Sequence, residues 1–250
     1  MIKRCLVLGG SGNVGSAICR TLAVQGSQIA FTYHNNENAA ANLAKETGAS
    51  ICLRCDLADF ESTKKVVDRA AEALGGLDSL IQAAGTSGED RFWECAGASN
   101  YNKLQEIDRA AFDEMMAVNT RGTLAASQAA AVWLQKNPSG GNILMIRSID
   151  GIKPVPSPIH FAASTGAAKG MMESMAKELG NYNIRVNILA LGILEGGASR
   201  KLGHEVKEAY LKHCSLNRFG RAEEVAEIAA WMALENTYVT GQVLLLDGGL

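Results

Sequence analysis

Close to its start the chain reads Gly9-Gly10-Ser11-Gly12-Asn13-Val14-Gly15, directly after an apolar run and directly before a helix-period one. Small residues at this spacing let backbone N–H groups and a helix N-terminus close on an anion such as a pyrophosphate. Alone, the cluster serves equally well as a tight turn with positive φ at one or two places. The strand before it and the helix after it move the reading towards a dinucleotide. Where the second strand ends, at Tyr33-His34-Asn35-Asn36, no carboxylate stands to hold the ribose 2′-OH of NAD(H) or to repel a 2′-phosphate. The residues therefore favour NADP(H) over NAD(H), although no Arg or Lys stands in that stretch to bind the phosphate. Asp56, closing the third strand, either caps a turn or accepts a hydrogen bond from an adenine amino group, and local chemistry favours the cap. Cys52 and Cys55 have the CxxC spacing of a zinc site. There is no second pair, and strand residues three apart face opposite ways, so no metal is expected.

Something must hold these groups. Strand-like runs cover 3–9, 27–34, 49–56, 78–85, 141–148, 183–192 and 241–249, alternating with helix-period segments at 14–25, 37–47, 60–74, 109–136, 160–180 and 222–234. Near-continuous apolar strands separated by helices imply a parallel sheet covered on both faces, with right-handed crossovers. The fold expected is α/β: one Rossmann-like, doubly wound domain over 1–250, with about seven parallel strands. Segments 86–108 and 193–215 read as irregular, and both follow the carboxyl ends of strands, where such sheets bind ligands. The first brings Phe92, Trp93 and Tyr101, suited either to cover an apolar chain or to pack on one another; the second holds hinge glycines in Glu195-Gly196-Gly197. A composition with 47% hydrophobic residues and a net charge of -2 suits a globular chain without the basic footprint of a nucleic-acid or anionic-membrane binder. The six Cys, in a chain showing no secretory signal or membrane span, are expected to be reduced in the cytoplasm.

The order of motifs resembles the short-chain dehydrogenase/reductases, and within them the β-ketoacyl carrier-protein reductases, over nearly the whole chain. The residues that carry this are the glycine turn, Asp56-Leu57, Gln82-Ala83-Ala84-Gly85, Val118-Asn119, Ser148, Leu191-Gly192 and Tyr238-Val239-Thr240-Gly241-Gln242 with Asp247-Gly248-Gly249. The resemblance implies an NAD(P)(H)-dependent oxidoreductase of fatty-acid or polyketide metabolism. It implies a dinucleotide held by Gly9, Ser11, Gly12, Asn13, Val14, Gly15, His34, Asn35, Asp56, Leu57, Ala84, Gly85 and Leu194. It further implies an acyl chain on acyl carrier protein as substrate, and a tetramer built on the helices at 109–136 and 160–180 and the last strand. In such enzymes a Ser polarises the carbonyl and a Tyr protonates the alkoxide that hydride transfer creates. A Lys four residues on lowers the Tyr pKa and holds the nicotinamide ribose, and an Asn orders a water. Ser148 and Asn119 take two of these places. Without the resemblance, Ser148 reads as a strand-end turn former and Asn119 as a helix-packing amide.

The other two places are changed. Phe161 stands thirteen residues after Ser148, where the Tyr belongs, and Thr165 stands in the place of the Lys. Phe has no hydroxyl to give up a proton, and Thr carries no charge to depress a phenol pKa. His160 adjoins Phe161 but points about 100° away on a helix, as a structural or surface histidine does. Lys169, one turn beyond Thr165, needs most of its reach to enter the ribose region. Leu8, Asn13, Gln82 and Leu191 are milder departures. Asn13 tolerates positive φ, so a formed pocket is expected. Two functions follow: a slow ketoreductase with a rearranged donor, such as a water held by Ser148 and Asn119, or a catalytically inactive paralogue serving as structural or regulatory partner of an active ketoreductase. The assembly expected is a homotetramer or a heteromer with a related reductase.

Overall fold

The computed structural model describes residues 2–88 and 102–250, so Phe92, Trp93 and Tyr101 lie outside the described residues. β1 (Arg4–Leu8) leads through the glycine turn into α1 (Asn13–Val24), followed by β2 (Gln28–Tyr33), α2 (Glu37–Thr47), β3 (Ile51–Arg54), α3 (Phe60–Leu74) and β4 (Ser79–Gln82). The second half runs α4 (Arg109–Met116), α5 (Thr123–Gln135), β5 (Gly141–Ser148), α6 (Ile159–Leu179), β6 (Ile184–Leu191), α7 (His204–His213), α8 (Ala222–Leu234) and β7 (Val243–Leu246). All seven strands pair in parallel in one Rossmann-like sheet, ordered β3-β2-β1-β4-β5-β6-β7. The order reverses between β1 and β4. Crossovers on opposite faces diverge there and leave a crevice at the carboxyl ends.

Both faces are covered because both parities of each central strand are apolar. On β1, Leu6 and Leu8 pack with α3, α5 and α6, while Cys5 and Val7 pack with α1, α2 and α8. Buried Ala126, Ala129 and Ala130 on α5, and Ala226, Ala229 and Ala230 on α8, bring those helices close to the strands. Local signals set several boundaries. Asn36 accepts the Ala39 N–H to start α2, Asp59 accepts the Ser62 N–H to start α3, and Gly48 and Gly75 end the two helices in left-handed conformations.

Three expectations change. The helix read over 109–136 is interrupted by a π-helical turn at Ala117–Gly122, which contains Asn119. There a Cβ on Gly122 would stand 2.4 Å from the Leu57 carbonyl oxygen, so the turn passes a neighbouring loop at backbone distance. The segment 193–215 is not irregular: it holds a 3-10 turn at Gly197–Lys201 and α7. β7 ends at Leu246 because Gly248 and Gly249 take φ of 68° and 83°, which a strand does not accommodate. Among the described residues no helix is long and apolar enough to cross a membrane.

Candidate active site

The carboxyl ends of β4, β5 and β6, with the start of α1, border a cavity of about 800 Å³. One end is the glycine turn. Gly9 has φ +76°, and a Cβ there would stand 2.7 Å from Ala84 Cα; a Cβ on Gly15 would stand 2.1 Å from the Gly9 carbonyl oxygen. The turn is closed on itself by the Gly12 N–H to Gly9 C=O bond of 3.0 Å, and the Gly9 N–H is anchored on Thr32 Oγ1 of β2 at 2.9 Å. No side chain caps α1, and its first turn carries no acid. The first N–H groups and the positive end of the helix dipole are thus available to an anion. Together with the space the missing Cβ atoms leave, this fits a pyrophosphate.

Asn13 does not use the positive φ anticipated for it. It is the first residue of α1, and the left-handed conformation falls on Gly9 instead. Asn13 Nδ2 donates to the Glu195 carbonyl at 3.1 Å and so ties the turn to the segment after β6. Val14, Ala84, Gly85 and Leu194 line the cavity beside it, whereas Gly9, Ser11, Gly12, Gly15, His34, Asn35, Asp56 and Leu57 are not among its lining residues. His34 and Asn35 are exposed beyond β2. Asp56 Oδ1 accepts the Ala58 N–H at 2.9 Å, the capping role that local chemistry favoured. One cation here was missed: Arg54 on β3 pairs in register with Tyr33, and its Nε donates to the His34 carbonyl at 3.3 Å. The stretch after β2 lacks a basic residue, but the neighbouring strand brings one.

The other end of the cavity gathers Asn119, Arg147, Ser148, Asp150, Phe161 and Thr165. Asn119 is buried, with its Oδ1 accepting the Thr86 N–H at 2.9 Å and its Nδ2 donating to the Thr86 carbonyl at 2.9 Å and to Ser164 Oγ at 3.1 Å. The π-turn thereby clamps the segment after β4 to α6. Gly85 fits beneath this amide, for a Cβ there would lie 3.1 Å from Asn119 Oδ1. Phe161 and Thr165, one turn apart on α6, both line the cavity, and Thr165 is 1% exposed. His160 is buried and absent from the lining; its Nε2 would stand 3.4 Å from a Cβ on Gly88. Lys169 does not enter the site either, because its ammonium is ion-paired with Glu173 on the helix surface.

Two further residues escaped the sequence reading. Arg147 is 8% exposed; its guanidinium donates to the Ile146 carbonyl at 2.8 Å and to Thr123 Oγ1, and reaches the carbonyls of Gln82 and Asn119 at 3.5 Å each. None of these partners is a carboxylate, and among the described residues Nε has no hydrogen-bond partner. Burial pushes its pKa down to about 10. Asp150 lies two residues beyond Ser148, whose hydroxyl is hydrogen-bonded to Asp150 Oδ2. Burial raises the Asp150 pKa, with the hydrogen bond from Ser148 acting in the opposite direction. The available signals were an Arg inside the apolar run of 141–148 and an Asp just beyond it.

A single parallel sheet with a glycine turn at its switch point defines the Rossmann-like class. The chain belongs to the short-chain dehydrogenase/reductase family: the family profile described as Enoyl-(Acyl carrier protein) reductase matches residues 10–250. It is similar to the 3-oxoacyl-(acyl-carrier-protein) reductase FabG of Thermotoga maritima, 31% identical over 99% of this chain and 97% of that protein. A short-chain dehydrogenase of Burkholderia cenocepacia, solved in complex with NADP, superposes with a TM-score of 0.86 at 30% identity, covering 99% of this chain and 97% of that one. A blue fluorescent protein from a metagenomic library, solved in complex with NADPH, gives the same TM-score, identity and coverage.

Proposed function

We propose that residues 1–250 act as one cytoplasmic unit that binds NADP(H) in preference to NAD(H) and reduces a carbonyl, with an acyl chain on acyl carrier protein as the substrate class. The observation that carries this is one cavity joining the uncapped start of α1 to Ser148, Asn119, Phe161 and Thr165. The dinucleotide, when bound, supplies the hydride. The chain's own task is to receive the pyrophosphate at Gly9 to Gly15, to hold the dinucleotide along Ala84, Gly85 and Leu194, and to place a hydroxyl donor, Ser148, where negative charge develops on oxygen. NADP(H) is favoured because no carboxylate follows Tyr33 and because Arg54 stands beside His34. The NADP and NADPH held by the two structural neighbours agree with this preference. A carbonyl is favoured over the enoyl bond in the family description because the reaction end is lined by hydroxyl and carboxyl donors.

Thermal shift decides the cofactor. NADPH is expected to raise Tm more than NADH does, and Arg54→Ala to weaken NADPH about tenfold while leaving NADH unchanged. No shift with either dinucleotide in folded protein would defeat the reading.

Phe161 and Thr165 favour a second reading: a catalytically inactive paralogue that keeps fold and interfaces and partners an active reductase. Exposed Phe112, Val132 and Ile159 on α4, α5 and α6, with Leu244 and Leu245 on β7, lie on the helices and strand where the resemblance puts tetramer contacts. NADPH consumption with a β-ketoacyl thioester separates the two. Wild-type turnover supports the reductase; turnover only in Phe161→Tyr/Thr165→Lys supports the inactive partner.

A further inference from the structure

Asp150 takes none of the roles that the resemblance distributes, yet its carboxyl lies on the one hydroxyl at the reaction end that was singled out for catalysis. It lines the cavity with Phe161 and Thr165, its Oδ2 is hydrogen-bonded to Ser148, and its own N–H reaches Ser148 Oγ at 3.3 Å. Among the described residues no cation neutralises it. Lys153, three residues along, is turned to Asp247 at 2.8 Å and to the Leu250 carbonyl. Arg147 spends its guanidinium on Ile146 and Thr123, and the other ionisable groups lining the cavity are Glu205, Tyr210 and His213. Burial accordingly disfavours the carboxylate more than the hydrogen bonds from Ser148 and Ser157 favour it.

We propose that Asp150, acting through Ser148, is the proton donor of this site, so that the acid absent from α6 is supplied by the loop after β5. The inference rests on the reductase reading above. An ionised Asp150 would keep the Ser148 proton for itself. A protonated one donates to Ser148 Oγ and leaves the Ser148 O–H free for the substrate. In the step, the carbonyl carbon receives a hydride with its electron pair from a reduced nicotinamide, which is left oxidised, and the carbonyl π pair moves onto oxygen. That oxygen takes the proton of Ser148 as Ser148 takes the proton of Asp150. The products are an alcohol and an Asp150 carboxylate, which takes up one proton from bulk solvent before the next turnover. Phe161 then needs no hydroxyl.

The test pairs infrared spectroscopy of the ligand-free protein with kinetics. The difference spectrum of wild type minus Asp150→Asn, at a pH where ordinary carboxylates are ionised, is expected to show a protonated carboxyl band. With NADPH and a β-ketoacyl thioester, Asp150→Asn is expected to lose about 100-fold in kcat while the NADPH thermal shift is kept. Asp150→Glu should retain about a tenth of wild-type kcat, and Phe161→Tyr in the Asp150→Asn background should recover about tenfold. A carboxylate band, or Asp150→Asn turning over as fast as wild type, overturns the donor and leaves the reductase reading standing. Wild type that binds NADPH but turns over only as Phe161→Tyr/Thr165→Lys overturns both. Should Asp150→Asn fail to fold, the Glu variant and the carboxyl band in wild type still decide.

Discussion

Two walls of one cavity are built to opposite prescriptions. The end of β5 and the loop beyond it concentrate polar chemistry, with Arg147, Ser148 and Asp150 in four consecutive residues, two of them charged in type and drawn out of water. The facing turn of α6 offers Phe161 and Thr165, a ring and a hydroxyl, and no ionisable group of that helix lines the cavity. A buried guanidinium without a carboxylate is a costly thing to keep. Both charged side chains at this end of the cavity come from β5 and the loop beyond it, so that α6 read alone understates what the cavity contains.

Variants that move charge from one wall to the other test whether the two walls sense each other. The largest effect is expected from Thr165→Lys. Ser164, next to Thr165 in sequence, accepts from the Asn119 side-chain amide at 3.1 Å, and the Asn119 backbone carbonyl lies 3.5 Å from the Arg147 guanidinium. A second cation there should cost about 2 kcal/mol in urea unfolding, falling to under about 1 kcal/mol in an Arg147→Met background. Equal costs in both backgrounds would mean the walls do not sense each other. Arg147→Met alone comes next, with an expected gain of about 1 kcal/mol, because removing an unpaired buried charge relieves more than its hydrogen bonds contribute. A loss of that size would make Arg147 a structural strut. Phe161→Tyr should change stability by less than about 0.5 kcal/mol, since the ring borders open cavity rather than packed core.

The smallest effect is one of pH, and it sets the two ends of the sheet against each other. Asp78, at the amino end, is raised by burial but held below its ordinary value overall by hydrogen bonds from the Arg4 side chain and N–H at 2.8 Å. Its contribution is present above the ordinary carboxylate range and is lost as pH falls through the depressed value. Asp150 has the opposite sign: its contribution is present in acid and is lost as pH rises through the raised value. Asp78→Asn should therefore flatten the acid side of the stability profile. Asp150→Asn should gain stability near neutrality and nothing in acid. Denaturant midpoints across pH check both, and profiles of the same sign would refute the contrast.

Much of the architecture was legible in the chain alone because its causes are local. Apolar runs such as 3–9 and 141–148 make strands whatever surrounds them, and Asn36, Asp59, Gly48 and Gly75 start and stop α2 and α3 through bonds reaching only a few residues. The glycine turn was legible for the same reason, since Gly9 and Gly15 answer to their own backbone. So was the chemistry that Phe161 and Thr165 do not have, because it depends on covalent structure only. The π-turn at Asn119 was not, for it follows from what a distant loop and α6 demand of that helix. Arg54 comes beside His34 only through the pairing of β2 with β3. The states of Arg147 and Asp150 depend on how much water the packed elements around them exclude, a quantity that no single segment carries.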